Sequence, residues 1–227
     1  MKDLVIVESP LKAKKIQKIL GTGYYVLSSF GHLRNLKPKN MGIKIEENFK
    51  PMFEIDKKKR DQYNKLKKAA KDCSKIILAT DKDREGEAIA WHLAVMLKAS
   101  LKEDNRITFT EITKSAILKA MKERKRVDMN LVNAQLARQT EDYIVGYELS
   151  PLTKKFVNAP SAGRVQSSVN KMICEKEEKI EKFVSNDYYH TIGNFNDLSG
   201  KNDIRGKLNK KIESKERIMK FLEDCKE

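Results

Sequence analysis

The sequence predicts an α/β fold: a mostly parallel sheet covered on both faces, followed by a mainly helical second domain. Three observations carry this. Short apolar runs without polar alternation recur through the first 125 residues, as strands buried on both faces require. Each is followed by a stretch of helical periodicity, the order that builds a parallel sheet. From about residue 128 the strand-like runs give way to two long helical patterns.

Leu4-Val5-Ile6-Val7 is the first buried strand. Ser9-Pro10 then offers an N-cap and a proline at the first helical position, and Gly21 stops that helix. Residues 24–29 form a second strand, and residues 31–56, with Gly31, Pro38, Gly42 and Pro51, an irregular connection. A lysine-rich helix covers about 58–73 and a buried strand 75–79. Residues 85–98 are helical through Ile89, Leu93 and Leu97; 106–110 is a strand and 114–123 a helix. Beyond this, 130–147 and 162–183 are long helices, joined through Ser150-Pro151 and Ala159-Pro160-Ser161. Residues 188–210 suit a hairpin around 196–203, and Ser214 begins a last helix. The expected domains are 1–127, 128–185 and the start of a further one at 186–227.

Composition narrows the function. The chain has 227 residues, 40% hydrophobic and 35% charged, and 47 Lys and Arg against 32 Asp and Glu give it a net charge of +15. That excludes a disordered chain, and no apolar run approaches the roughly 18 residues of a membrane span. The start lacks the apolar region of a signal peptide. Three cysteines, far apart and without a CxxC pair, argue against a disulfide framework or a zinc site. The expectation is a cytoplasmic protein with no membrane partner, facing a polyanion such as nucleic acid. Charge alone does not decide this: the lysine-rich stretches 57–60 and 65–71 suit a solvated helix face as well as a phosphate-tracking one.

The sharpest local feature is Asp81-Lys82-Asp83-Arg84-Glu85-Gly86-Glu87, directly after the strand 75–79. Carboxylates at i, i+2 and i+4 in a turn entering a helix suit one Mg²⁺, a hard ion that takes one or two carboxylates and keeps waters for phosphate oxygens. Glu8 stands in the same relation to the first strand. Ligands of open α/β sheets bind outside the carboxyl ends of the strands, which places Glu8 and the 81–85 cluster on one rim. Lys12, one turn beyond Glu8, would neutralise a phosphate or a developing oxyanion there. The plainer alternative is that Asp83, Glu85 and Glu87 only favour a helix N-terminus, with Arg84 as counter-ion. Further on, Arg138 and Asp142 are four apart and share a helix face with Gln135. Ser161 and Arg164 flank the start of the second long helix, where a hydroxyl, exposed N–H groups and a guanidinium make a phosphate site; the alternative is a simple serine cap.

Several segments together carry a resemblance. They are Val7-Glu8-Ser9-Pro10 with Lys12 and Lys14, Gly31-His32-Leu33, the run from Ala79 to His92, and Phe109-Thr110-Glu111-Ile112-Thr113. The pattern continues through Ala134-Gln135-Leu136-Ala137-Arg138, Gly146 to Leu152, and Ser161-Ala162-Gly163-Arg164-Val165-Gln166-Ser167. This chain resembles the N-terminal portion of type IA DNA topoisomerases: a Rossmann-like Toprim domain and its helical DNA-binding partner. The resemblance is clear over residues 3–183.

It implies breakage of one strand by a tyrosine that becomes linked to the 5′ phosphate, passage of the other strand, and resealing, which relaxes negative supercoils with Mg²⁺ and no nucleotide cofactor. Glu8, Lys12, Asp81, Asp83 and Glu85 would be catalytic, with Glu8, Asp81, Asp83 and Glu85 around the metal. His32, Gln135, Arg138, Asp142, Ser161 and Arg164 would bind single-stranded DNA within a supercoiled duplex. Many bacterial members have arginines where Gln139 and Tyr143 stand, which puts the inherited cytosine preference in doubt. The family's nucleophilic tyrosine lies in a later domain, and Tyr143, Tyr147, Tyr188 and Tyr189 belong to other segments. The expectation is therefore a portion inactive alone, needing a tyrosine domain in cis or in trans. The alternative is a stand-alone Toprim nuclease-like or nucleic-acid-binding protein.

Overall fold

The computed structural model describes residues 2–197, 199 and 203–225. β1 (Asp3–Val7) is buried from Leu4 onward, and α1 (Pro10–Leu20) starts as expected, with Ser9 Oγ accepting from Lys12 N–H and Pro10 at its first position. β2 (Tyr24–Ser28) follows. The connection then carries four short strands: β3 (Arg34–Leu36), β4 (Ile43–Lys44), β5 (Lys50–Pro51) and β6 (Phe53–Ile55), paired antiparallel as β3–β6 and β4–β5. The lysine-rich helix α2 (Arg60–Asp72) leads into β7 (Ile76–Leu78) and α3 (Arg84–Leu97). After α4 (Lys114–Lys122) comes the 28-residue α5 (Met129–Phe156).

The central sheet is parallel, in the order β2-β1-β7. Its middle strand explains the unbroken apolar run. Leu4 and Ile6 pack with Leu66 of α2, Ile89 and Leu93 of α3 and Val132 of α5, whereas Val5 and Val7 pack with Ile16 of α1 and Ile117 of α4. Successive strand side chains point to opposite faces, so a strand covered on both sides has no face for polar residues.

Two expectations are corrected. The strand expected at 106–110 shrinks to a bridge at Arg106, between Leu78 and Lys125. The ladder stops after Ile107 N–H donates to Leu78 O at 2.9 Å: the next acceptor in register, Thr80 O, takes the Arg106 guanidinium instead, as does Ile107 O. The break expected at Ser150-Pro151 is absent, and α5 runs on to Phe156. Pro151 lacks the N–H that would donate to Tyr147 O, yet the helix continues through it, with added hydroxyl bonds beside it from Ser150 Oγ to Gly146 O and from Thr153 Oγ1 to Ser150 O.

By packing, the chain divides into two compact units at residues 167 and 168. The helix α6 (Arg164–Glu181) spans that division, so packing divides the chain elsewhere than the composition change near 127 does. Met172, Ile173 and Ile180, core-type positions by their spacing, are exposed, and α6 has no buried residue. The second unit also holds an antiparallel pair, β8 (Ile192–Asn196) and β9 (Asp203–Lys207), and α7 (Lys215–Asp224), capped by Ser214 as expected. Most of the turn expected between the paired strands lies outside the described residues. No helix among the described residues is long and apolar enough to cross a membrane.

Candidate active site

Glu8 leaves the carboxyl end of β1 and Thr80-Asp81 the carboxyl end of β7, its direct neighbour, so the sheet order alone brings them together. Glu8 Oε1 accepts from Asp81 N–H at 2.8 Å, and Lys12 Nζ, reaching over from α1, donates to Asp81 Oδ1. The loop after β2 is stitched to the same place: Ser28 Oγ donates to Glu8 O at 2.8 Å and Gly31 N–H to Glu8 O at 3.1 Å. Residues 73 apart in sequence are thereby held by the backbone.

The other two acids are differently engaged. Asp83 Oδ1 caps α3, accepting from Gly86 N–H at 2.6 Å. Glu85, on the first turn of α3, faces His32, with Oε1 at 3.7 Å from Nε2. The structure thus brings Glu8 and Lys12 each into contact with Asp81, lets the charge of Asp83 reach Glu8, and turns Glu85 toward His32 instead. Among the described residues no three His, Cys, Asp or Glu converge in a metal-holding group.

The donor chemistry still suits a hard cation. Burial is the largest influence on the Glu8 carboxyl and lifts it above its usual range; the charges of Asp81 and Asp83 push the same way, while the Asp81 N–H and Lys12 oppose them. Negative charge is therefore gathered there beyond what Lys12 offsets, and one divalent ion would reverse that balance. An open cleft of about 620 Å³ adjoins the site, lined by Lys12, Lys15, Asp81, Lys82, Phe109 and Glu111 among others. Three lysines and one aromatic side chain suit a phosphate with an attached sugar or base.

Beneath the acidic loop lies a support that the sequence pattern did not reveal. Arg106 and Glu87 are both buried and paired, with Arg106 Nε donating to Glu87 Oε2 at 3.0 Å. The same guanidinium donates to Thr80 O at 2.8 Å and Asp81 O at 2.7 Å. Glu87 Oε1 accepts from Asp128 N–H at 2.8 Å, just ahead of α5. Burial holds the Arg106 guanidinium below its ordinary value, with Glu87 the main opposing influence. Gly86 closes the loop: a Cβ there would lie 2.3 Å from Asp81 O, so no other residue lets the loop rest on α3.

His32 is enclosed by a cation and aromatic rings. Lys59 Nζ donates to His32 O at 2.8 Å and Phe30 O at 2.9 Å. His92 packs edge-on to it with centroids 5.6 Å apart, and accepts at Nδ1 from Arg34 Nε. Arg34 in turn lies over Phe53 and Trp91, at 4.9 and 4.8 Å from their ring centroids. His92 and Trp91 are thus packing residues, and burial chiefly keeps the His32 imidazole below its ordinary value.

On α5 the expected Arg138–Asp142 pair is present, Nε to Oδ2 at 3.8 Å, with Gln135 one turn earlier. Asp142 has a stronger partner in Arg164, which donates from Nε at 2.7 Å and Nη2 at 3.3 Å, and this holds its carboxyl below the usual range. Ser161 is not the cap of α6: the first helical hydrogen bond runs from Ser167 N–H to Gly163 O. Ala162 N–H instead donates to Ser150 Oγ at 3.1 Å. Gln135 and Ser161 are placed by the backbone, and the arginines by Asp142.

A family model described as the Toprim domain matches residues 3–112, and one described as DNA topoisomerase matches 126–227. The chain belongs to the type IA DNA topoisomerases. It is 47% identical over 192 residues to DNA topoisomerase 1 of Rickettsia felis, a match covering 82% of this chain and 25% of that protein. It is 40% identical to full-length topoisomerase I from Thermotoga maritima, with a TM-score of 0.74 over 96% of this chain and 37% of that structure. The chain therefore spans about a quarter of the curated relative and little more than a third of the solved one.

Proposed function

We propose that this chain supplies the acidic site and the single-strand grip with which a type IA topoisomerase cuts and reseals DNA. The observation that supports this best is the convergence of Glu8, Lys12 and Asp81 on one rim of the parallel sheet, beside a lysine-lined cleft. Mg²⁺ held by Asp81 with Glu8, Asp83 and Glu85 around it would neutralise charge on a scissile phosphate. Lys12 offers its ammonium to a phosphate oxygen in place of Asp81. Glu8, lifted by burial and like charge, is suited to pass a proton to the 3′ oxygen that leaves and take it back on resealing. Arg138 and Arg164, oriented by Asp142, hold the backbone of the single strand, with Gln135, Ser161 and His32 along it. The attacking tyrosine is not one of this chain's, and it comes from a further domain in cis or in trans. With supercoiled DNA as its substrate the protein would work in the cytoplasm, and at the nucleoid if it is bacterial.

An end-labelled single strand incubated with the chain and Mg²⁺, then run under denaturing conditions, tests this. We expect no covalent adduct from the chain alone. Mixed with or joined to the tyrosine-bearing segment of a relative, it should form a 5′-phosphotyrosyl adduct, which Glu8→Gln slows by about 10²-fold. An adduct from this chain alone overturns the placement of the nucleophile. Metal-dependent nicking without an adduct would make it a Toprim nuclease instead.

A further inference from the structure

Between residues 57 and 71 the chain carries eight Lys and Arg against a single acid, Asp61, a net +7 that is nearly half of the whole chain's +15. Leu66 and Ala69 turn one face of α2 into the core, which leaves Arg60, Lys65, Lys67, Lys68 and Lys71 exposed on the other. Among the described residues none of these five is in an ion pair, although Asp61 and Asp72 stand four residues from Lys65 and Lys68, whereas exposed Lys44, Lys171 and Lys182 are each paired with a glutamate three or four residues away. Like charges at helical spacing repel by a few tenths of a kcal/mol per pair, a cost that the buried Leu66 and Ala69 offset, and the face keeps an excess of positive charge suited to a polyanion.

The placement of this face narrows what that polyanion is. Two side chains pin the start of the track to the candidate active site: Lys59 to the carbonyls of Phe30 and His32, and Gln62 Nε2 to Ser28 O at the carboxyl end of β2. The helix ends at Asp72, and the chain re-enters the sheet at the opposite edge, at Ile76. The cations from Arg60 to Lys71 therefore form a row roughly 16 Å long that leads away from the rim, about five base-pair steps of a duplex strand. Tyr63 is the one aromatic residue in the stretch, and it packs against the core under Lys67 rather than offering a ring for a base. Proteins that hold single strands interleave cations with stacking aromatics; a row of cations without them reads only the phosphate backbone.

We propose that the exposed face of α2 is a second DNA-contact surface, a phosphate track for the duplex that flanks the single strand at the rim. This rests on the topoisomerase reading of the rim, and the test separates the two. The whole chain is compared with a quadruple variant, K65Q/K67Q/K68Q/K71Q, and with a control losing equal charge from α6, K171Q/K176Q/K179Q/K182Q. Binding of a short blunt duplex is followed by fluorescence anisotropy across salt concentrations, with circular dichroism confirming that each variant folds. The α2 variant should flatten the slope of log K against log salt by about 3 to 4, at about 0.9 per lost phosphate contact, and the control by less than 1. Affinity for a single strand should change little in either. Equal slopes for the two variants, or a loss confined to single strands, overturns the track. The rim reading fails separately: if Glu8→Gln leaves adduct formation untouched while the duplex slope behaves as stated, the track stands as a duplex-binding face only.

Discussion

Replacing Arg106 by methionine tests how far the acidic loop depends on what lies beneath it. The wild-type pair is almost dry, with side-chain exposures of 1% for Arg106 and 6% for Glu87. Methionine keeps much of the length but removes every donor. Glu87 is then a buried carboxylate whose one remaining partner is the Asp128 N–H, and the carbonyls of Thr80 and Asp81 lose a charged donor. Removing one member of a buried ion pair costs about 3–5 kcal/mol, and each carbonyl left unpaired about 1 more where water does not reach it. For a chain of this size about 2–4 °C accompanies each kcal/mol, so the first thermal transition should fall by roughly 10 °C or more. The double variant R106M/E87L, which removes both charges, should recover most of that, because an apolar pair of similar volume carries no stranded charge. Urea unfolding followed by circular dichroism measures both. A single-variant loss under about 1 kcal/mol, or a double variant no better than the single, refutes the reasoning.

Two further outcomes follow from the same geometry. Gly86→Ala should displace the loop, because its Cβ would stand 2.3 Å from Asp81 O; a lower melting temperature together with weaker Mg²⁺-dependent cleavage in the complete system is expected, and an unchanged crystal structure of the loop would refute it. His92 is held down to about 3, chiefly by burial, then by the charges of Arg34 and His32. Above its unfolded pKa of about 6.5 neither state carries the proton; below it the unfolded chain takes up a proton that the folded chain refuses, and stability falls by up to about 1.4 kcal/mol per pH unit. His92→Gln should flatten the urea midpoint between about pH 6.5 and pH 4 relative to wild type, and parallel curves would refute the assignment.

The topoisomerase family was legible because its residues sit in short, ordered motifs. Local rules gave the strand and helix order, the Ser9 and Ser214 caps, and the i,i+4 pairing of Arg138 with Asp142, since each depends on neighbours within one or two turns. Glu8 and Asp81 were predicted on one rim because each follows a parallel strand, and their hydrogen bond is what adjacent strands allow. Pairings across long stretches of chain were not legible. Arg106 looked like one residue of a strand over 106–110, and only the packed fold shows its side chain taking Thr80 O and Ile107 O, where that strand's next hydrogen bonds would fall. Asp142 prefers Arg164, 22 residues away, to its helical neighbour because the turn before α6 aims a two-pronged donor at it. Sequence periodicity records which face of an element is apolar and so determined the layers, while strand order determined the rim and composition the charge. Which polar groups meet beneath the rim depends on how those layers close, and only the tertiary structure decided that.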